Sequence, residues 1–265
     1  MAAIRKFYGD MERAAASGRF WMTPLGDIDG QMMWLVRSHF GPTTPLVKIL
    51  VVAGMHGEEK AGPYAILKWL LEDHHELLQN IEMSFIPIIN PIGFAKGTRY
   101  GTKTPNNCGF CHPESKETLA PEGEILYRNV DLLRPLAEHG FLSLHEDIDC
   151  DSYYVYDYCK GDKPTSTSKA ILTELGKHFP KMLTDASVLI DTAWAEIGPK
   201  VINGVVWHYC DGSFEDWMYH LGVPKVIVAE TPGTYKLSRR IDAHVGVIDK
   251  FIKVCLKGKK HEATA

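Results

Sequence analysis

His56-Gly57-Glu58-Glu59 follows directly on the apolar run LVKILVVAGM (46–55). An imidazole and a carboxylate three positions apart can leave one helical turn on the same side. Such a pair suits Zn²⁺, which takes nitrogen and oxygen donors at about 2.0–2.2 Å. A catalytic zinc usually has three protein ligands and one open position. His145, near the end of the run FLSLHED (141–147), offers the third ligand. On a blander reading, His56 caps a turn and Glu59 is a solvated acid at a helix start, favoured there by the dipole. Glu230 closes a further apolar run, KVIVAE (225–230), and Thr231-Pro232-Gly233 stops it. An acid so placed can serve as a general base, or it can be an ordinary exposed residue at a strand end.

These residues need elements to bring them together, and the chain reads as alternating strands and helices. The runs 46–55, 81–91, 141–147, 152–158 and 225–230 read as strands, and residues 1–45 as a short helix and a hairpin around GDIDG. Helices are expected after 61, over 121–140 with Gly140 as the terminator, over 169–179, and from 238 onward with Ile241, Val245, Ile248, Ile252 and Cys255 inward. Such alternation implies an α/β sandwich with a partly parallel sheet. Sites in these sheets form beyond the carboxyl ends of the strands. His56, Glu59, His145 and Glu230 all sit at such ends, so the fold class alone draws them to one edge.

Composition narrows the function classes. The 265 residues are 45% hydrophobic and 23% charged, which is ordinary for a folded globular chain. A net charge of −4 offers no basic face for nucleic acid. No run of apolar residues is long enough for a membrane span, and MAAIRKFYGDMERAAASGRF lacks the core of a secretory signal. Six cysteines do not make a disulfide scaffold at this length, so a cytoplasmic protein with free thiols is expected.

Other motifs fail their tests. His75-Glu76-Leu77-Leu78-Gln79 lacks the second histidine of a zinc helix, and Gly57 to Gly62 is followed by Pro63, where a phosphate loop needs lysine. Cys108-Gly109-Phe110-Cys111 could be a redox pair, but it lies in the long polar segment 101–124 with no second CxxC. His244 reads as solvated, and Tyr153, Tyr154 and Tyr156 as sheet packing.

Taken in order, HGEEKAG after a strand, NPIGFAKGTR (90–99), LHED around His145 and DGSFEDW (211–217) ahead of Glu230 resemble the M14-type zinc carboxypeptidases, from about residue 46 to 255. The resemblance implies a three-layer α/β/α sandwich around a mixed, roughly eight-stranded sheet. It implies one zinc per chain on His56, Glu59 and His145, Glu230 as the catalytic glutamate, and Arg99 as the group polarising the scissile carbonyl. Residues 46–258 would form the catalytic domain, with 1–45 packed on it and 259–265 a frayed tail. The family's Asn-Arg clamp for a terminal carboxylate falls on Asn106-Asn107, so arginine is missing there, and Lys103, Arg239 or Arg240 would have to compensate. Tyr209 or His208 stands near the place of the family's tyrosine, and Phe214 and Glu215 are candidate readers of the substrate side chain.

The expected activity is amide hydrolysis in small peptides. The alternatives are a murein-peptide amidase, an N-acyl amino-acid deacylase, or a zinc-binding module without catalysis. Only 35 residues follow Glu230, which counts against the aspartoacylase type of deacylase. The expected partner is a small peptide or N-acyl amino acid; neither nucleic acid nor membrane is expected.

Overall fold

A computed structural model describes residues 2–38, 47–107, 109–110, 119–160, 163–182, 200–207 and 212–262. Helix α1 (Ala2–Ala14) buries Ile4, Phe7 and Met11 along one side. Strands β1 (Phe20–Ile28) and β2 (Gln31–Ser38) form the expected hairpin. Its turn is Asp29-Gly30, both with positive φ (50° and 76°), the backbone hand that matches strand twist.

Strand β3 (Val47–Ala53) leads to α2 (Ala61–Leu71), and the short α3 (His75–Leu78) precedes β4 (Ile81–Ile86). After α4 (Pro91–Lys96) come α5 (Pro121–Arg128), α6 (Val130–Leu136), β5 (Gly140–Asp147) and β6 (Tyr154–Tyr158). Helix α7 (Ser166–Leu175) is followed by β7 (Lys200–Ile202), β8 (Val205–Trp207), α8 (Phe214–His220), β9 (Val226–Pro232) and α9 (Leu237–Glu262).

One mixed sheet takes nine strands in the order β1-β2-β4-β3-β5-β9-β6-β8-β7. Its centre, β4-β3-β5-β9, is parallel. Strands buried on both faces need apolar residues throughout, and every residue of β3 except Lys48 is buried. Along β3, Ile49 and Val51 join a cluster with α1, α2 and α9, whereas Leu50 and Val52 join one with α6 and α8. Two helical layers thus enclose the sheet, giving the three-layer sandwich. The nine strands agree with the roughly eight expected, and two of them form the β7–β8 hairpin, which has no strand pattern in the sequence. Its strands are three residues each, too short to stand out as a pattern, and its turn is Asn203-Gly204 with φ of 52° and 82°.

Three local expectations need correction. The helix expected over 121–140 is two, divided at Asn129, whose amide donates to the carbonyls of Ile125 and Leu25. Gly140 begins β5 instead of ending a helix, and a Cβ there would meet Phe251 at 2.8 Å. On α9, Ile241 and Val245 are only half-buried, and Ala243, Val247 and Phe251 fill the core beside Ile248, Ile252 and Cys255. That helix runs to Glu262, beyond the point where a frayed tail is expected. No helix among the described residues is long and apolar enough to cross a membrane.

Candidate active site

The carboxyl ends of β3, β5 and β9 converge. His145 and Glu230 are register partners across β5 and β9, so both side chains leave the sheet on the same face. His56 and Glu59 lie between β3 and α2. His56, Glu59 and His145 are all buried, and one donor atom from each lies within 4.8 Å of the others. Each oxygen of the Glu59 carboxylate faces an imidazole: His56 Nδ1 at 2.5 Å from Oε1, and His145 Nδ1 at 3.1 Å from Oε2. The centroids of the two rings are 5.1 Å apart.

The sequence around this group is shaped to hold it. Gly57 N donates to the Arg99 carbonyl at 3.0 Å. A Cβ on Gly57 would lie 2.0 Å from the Gly93 carbonyl carbon, so only glycine lets α4 come this close. Asn90 caps α4 through Oδ1, which accepts from Gly93 N, while its Nδ2 donates to the Arg99 carbonyl. Pro91 starts the helix and Gly97, with φ 70°, ends it. The segment 90–99 thereby delivers Arg99 to the site, its Nη1 3.4 Å from Glu59 Oε1 and 3.5 Å from Glu58 Oε1.

Glu146 holds the base of the site. Its backbone N–H donates to Glu59 Oε2 at 3.1 Å, and its carboxylate accepts from Ala61 N and pairs with Arg240. Arg240 is therefore occupied, and Arg239 lies over the rings of Tyr235 and Phe179. Neither is placed as a substitute for the missing arginine of the carboxylate clamp.

Electrostatics separates the carboxylates. Burial alone would raise Glu59, but the two imidazoles outweigh it and hold the group well below the usual range. Glu230 goes the other way: burial, helped by Glu59 and Asp147, pushes it up to about 8 against the pull of His145 and Arg99. Burial lowers His56. Burial would lower His145 as well, but Glu59, Glu215 and Glu230 together raise it.

Several expected substrate contacts are placed elsewhere. Asn106 is buried and its amide donates to the Met55 carbonyl and to Glu122 Oε1, so it braces the residue before His56. Asn107 is half-buried. Phe214 is wholly buried and packs on Phe110, Phe141 and Trp217 within the core. Glu215 is buried too, with Oε1 3.6 Å from His145 Nε2. Tyr209, His208, Cys108 and Cys111 lie outside the described residues.

Two residues near the site carry no sequence signal. Tyr154 is the register partner of Glu230 on β6, and its hydroxyl donates to Asp147 Oδ2 at 2.9 Å. His244, read as solvated, is completely buried in α9, with Nε2 3.0 Å from Thr231 Oγ1. Period-2 packing hides the first, and the second needs the docking of α9 to become visible.

Comparison with known proteins fits this geometry. Residues 45–122 match the succinylglutamate desuccinylase/aspartoacylase catalytic domain. A comparison with curated protein sequences finds no match. The crystal structure of a provisionally assigned metallopeptidase from Shewanella amazonensis SB2B is 29% identical, with a TM-score of 0.84 over 95% of this chain and 93% of that one. A metallo-carboxypeptidase from Burkholderia cenocepacia is 13% identical, with a TM-score of 0.70 over 94% of this chain and 68% of its own. Bovine thrombin-activatable fibrinolysis inhibitor is 13% identical, with a TM-score of 0.64 over 96% and 97%. The last two speak for the fold alone. The chain shares the fold of these metallocarboxypeptidases, and over residues 45–122 it is similar to the desuccinylase/aspartoacylase catalytic domain.

Proposed function

We propose that this chain is a zinc-dependent hydrolase of the metallocarboxypeptidase and desuccinylase/aspartoacylase type, cleaving an amide bond in a small peptide. The observation that carries the reading is the convergence of His56, Glu59 and His145, with Glu230 beside them on the next strand. The donor set fits a borderline-soft divalent ion: two imidazoles, one carboxylate, all shielded from bulk water. His56, Glu59 and His145 would hold the ion. Bound there, zinc would supply Lewis acidity toward a carbonyl oxygen and make water acidic enough to attack near neutral pH.

The chain's own residues do the rest. Glu230 accepts the proton of the attacking water and returns it to the leaving nitrogen. Arg99, 40% exposed at its side chain, is free to turn from Glu58 toward the oxygen on which charge develops. Zinc in place of another metal, the peptide in place of another amide, and a cytoplasmic setting are parts of the proposal. The free thiols of Cys150 and Cys255 suit a reducing compartment.

A second reading, an N-acyl amino-acid deacylase, is favoured by the match over residues 45–122 and by the lack of a spare arginine at Asn107. A panel of peptides with free or amidated C-termini, N-acyl amino acids and murein peptides separates the possibilities. Preference for free C-terminal peptides supports the first reading. Preference for N-acyl amino acids or murein peptides replaces it with a deacylase or an amidase. If zinc-loaded protein cleaves none of them, the amide-hydrolase reading is wrong.

A further inference from the structure

Glu215 stands among the expected substrate contacts by its neighbourhood in sequence, but its position gives it another task. It lies in the first turn of α8, a helix capped by Ser213 Oγ, which accepts from Asp216 N. The cap fixes where that turn begins, and β5 and β9 lie beneath it. Glu215 is 3% exposed and His145 is 6% exposed, so neither side chain is turned to solvent.

The two face each other with unmet hydrogen-bonding capacity. Among the described residues, His145 Nε2 and Glu215 Oε1 are both buried without a hydrogen-bond partner, and they lie 3.6 Å apart. That gap is a few tenths of an ångström longer than a hydrogen bond. Ser143, two residues before His145 on the same face of β5, also has a buried hydroxyl without a partner and lies close enough to steady the Glu215 carboxylate. The opposite ring nitrogen, Nδ1, points at Glu59 and the ligand group.

An imidazole can ligate through Nδ1 only if its proton is on Nε2, and a carboxylate facing Nε2 enforces that tautomer. Among the described residues His56 has no such support: its Nε2 is buried without a partner there. We propose that Glu215 is a positioning residue for His145. It would hold the Nε2–H tautomer and the ring angle, so that Nδ1 is presented to the metal beside Glu59. The inference rests on the metal-site reading above and assigns to Glu215 no contact with substrate.

The test is zinc affinity, measured by competition with a chromogenic chelator on wild type, Glu215→Gln and Glu215→Ala. Loss of an outer carboxylate partner lowers metal affinity by about 10–100-fold. Glu215→Ala should show that loss. Glu215→Gln, which keeps an acceptor of the same shape, should fall between it and wild type. The visible spectrum of the cobalt-loaded protein should shift in both variants, which a purely structural role for Glu215 would not cause. Glu215→Gln is isosteric and keeps the test open if Glu215→Ala does not fold. If both variants bind zinc as wild type does, while His145→Ala does not, this inference is overturned and the metal site stands. If wild type itself binds no zinc, the metal-site reading falls and this one with it.

Discussion

His145 and Glu230 stand side by side in register on the parallel strands β5 and β9, and both are buried. His145 belongs to a group whose geometry could hold a metal ion, Glu230 is an acid of raised pKa, and two adjacent backbones fix their separation. The arrangement separates two roles that mutation can distinguish. Glu230→Gln should lower kcat by about 10²–10⁴-fold, the usual contribution of a general base. Its bound metal should stay at the wild-type level. Loss of metal together with activity would make Glu230 a ligand and not a base.

The Glu146–Arg240 pair anchors the floor of the site. Glu146 is fully buried at its side chain and Arg240 is half-buried. Arg240→Met leaves a buried carboxylate without its partner, which costs about 3–5 kcal/mol. Thermal or urea unfolding should show that loss, and the double variant Arg240→Met, Glu146→Gln should recover part of it. A change below about 1 kcal/mol, typical of an exposed pair, would show that the pair is not a buried anchor.

His244 predicts the acid limb of the stability curve. Burial pushes its pKa down to about 3, against roughly 6.5 in an unfolded chain. The unfolded state therefore takes up the proton first as the pH falls. Stability is complete above about 6.5 and drains toward 3, by about 1.4 kcal/mol per pH unit for this one proton. Urea unfolding at pH 6.5 and 4.5 should give about one proton less of pH dependence in His244→Leu than in wild type. Equal slopes would contradict the assignment.

Two glycines should respond in opposite ways. Gly57→Ala drives a Cβ against the Gly93 and Phe94 backbone at 2.0–2.5 Å, where nothing flexible can yield. The variant should be strongly destabilised or insoluble. Gly9 lies inside α1, and a Cβ added there would meet nothing within 4 Å. Gly9→Ala should stabilise the protein by roughly 0.5–1 kcal/mol. Unfolding midpoints of the two variants check both statements.

Much of the site's layout is legible in the sequence because a parallel sheet has only one carboxyl edge. Once the runs ending at His56, His145 and Glu230 read as strands, topology brings those residues together. The segment 90–99 is legible only as the motif NPIGFAKGTR; the short helix that Asn90, Pro91 and Gly97 cap ahead of Arg99 emerges with the structure. Docking geometry is not written so locally. Phe214 and Glu215 open a helix whose exposed side cannot be known before α8 is laid on β5 and β9. His244 looks polar in a helix of mixed composition, and only the packing of α9 on the sheet buries it. Asn129 divides one apparent helix into two because its side chain competes for backbone carbonyls, an effect that hydrophobic periodicity does not register.

The proposed hydrolase requires that His56, Glu59 and His145 bind one metal ion together. The direct measurement is elemental analysis of protein equilibrated with zinc and freed of excess, on wild type and on His56→Ala, Glu59→Ala and His145→Ala. Wild type should carry about one zinc per chain, and each variant a small fraction of that. Wild-type protein without zinc, or single variants that load as fully as wild type, would contradict the claim.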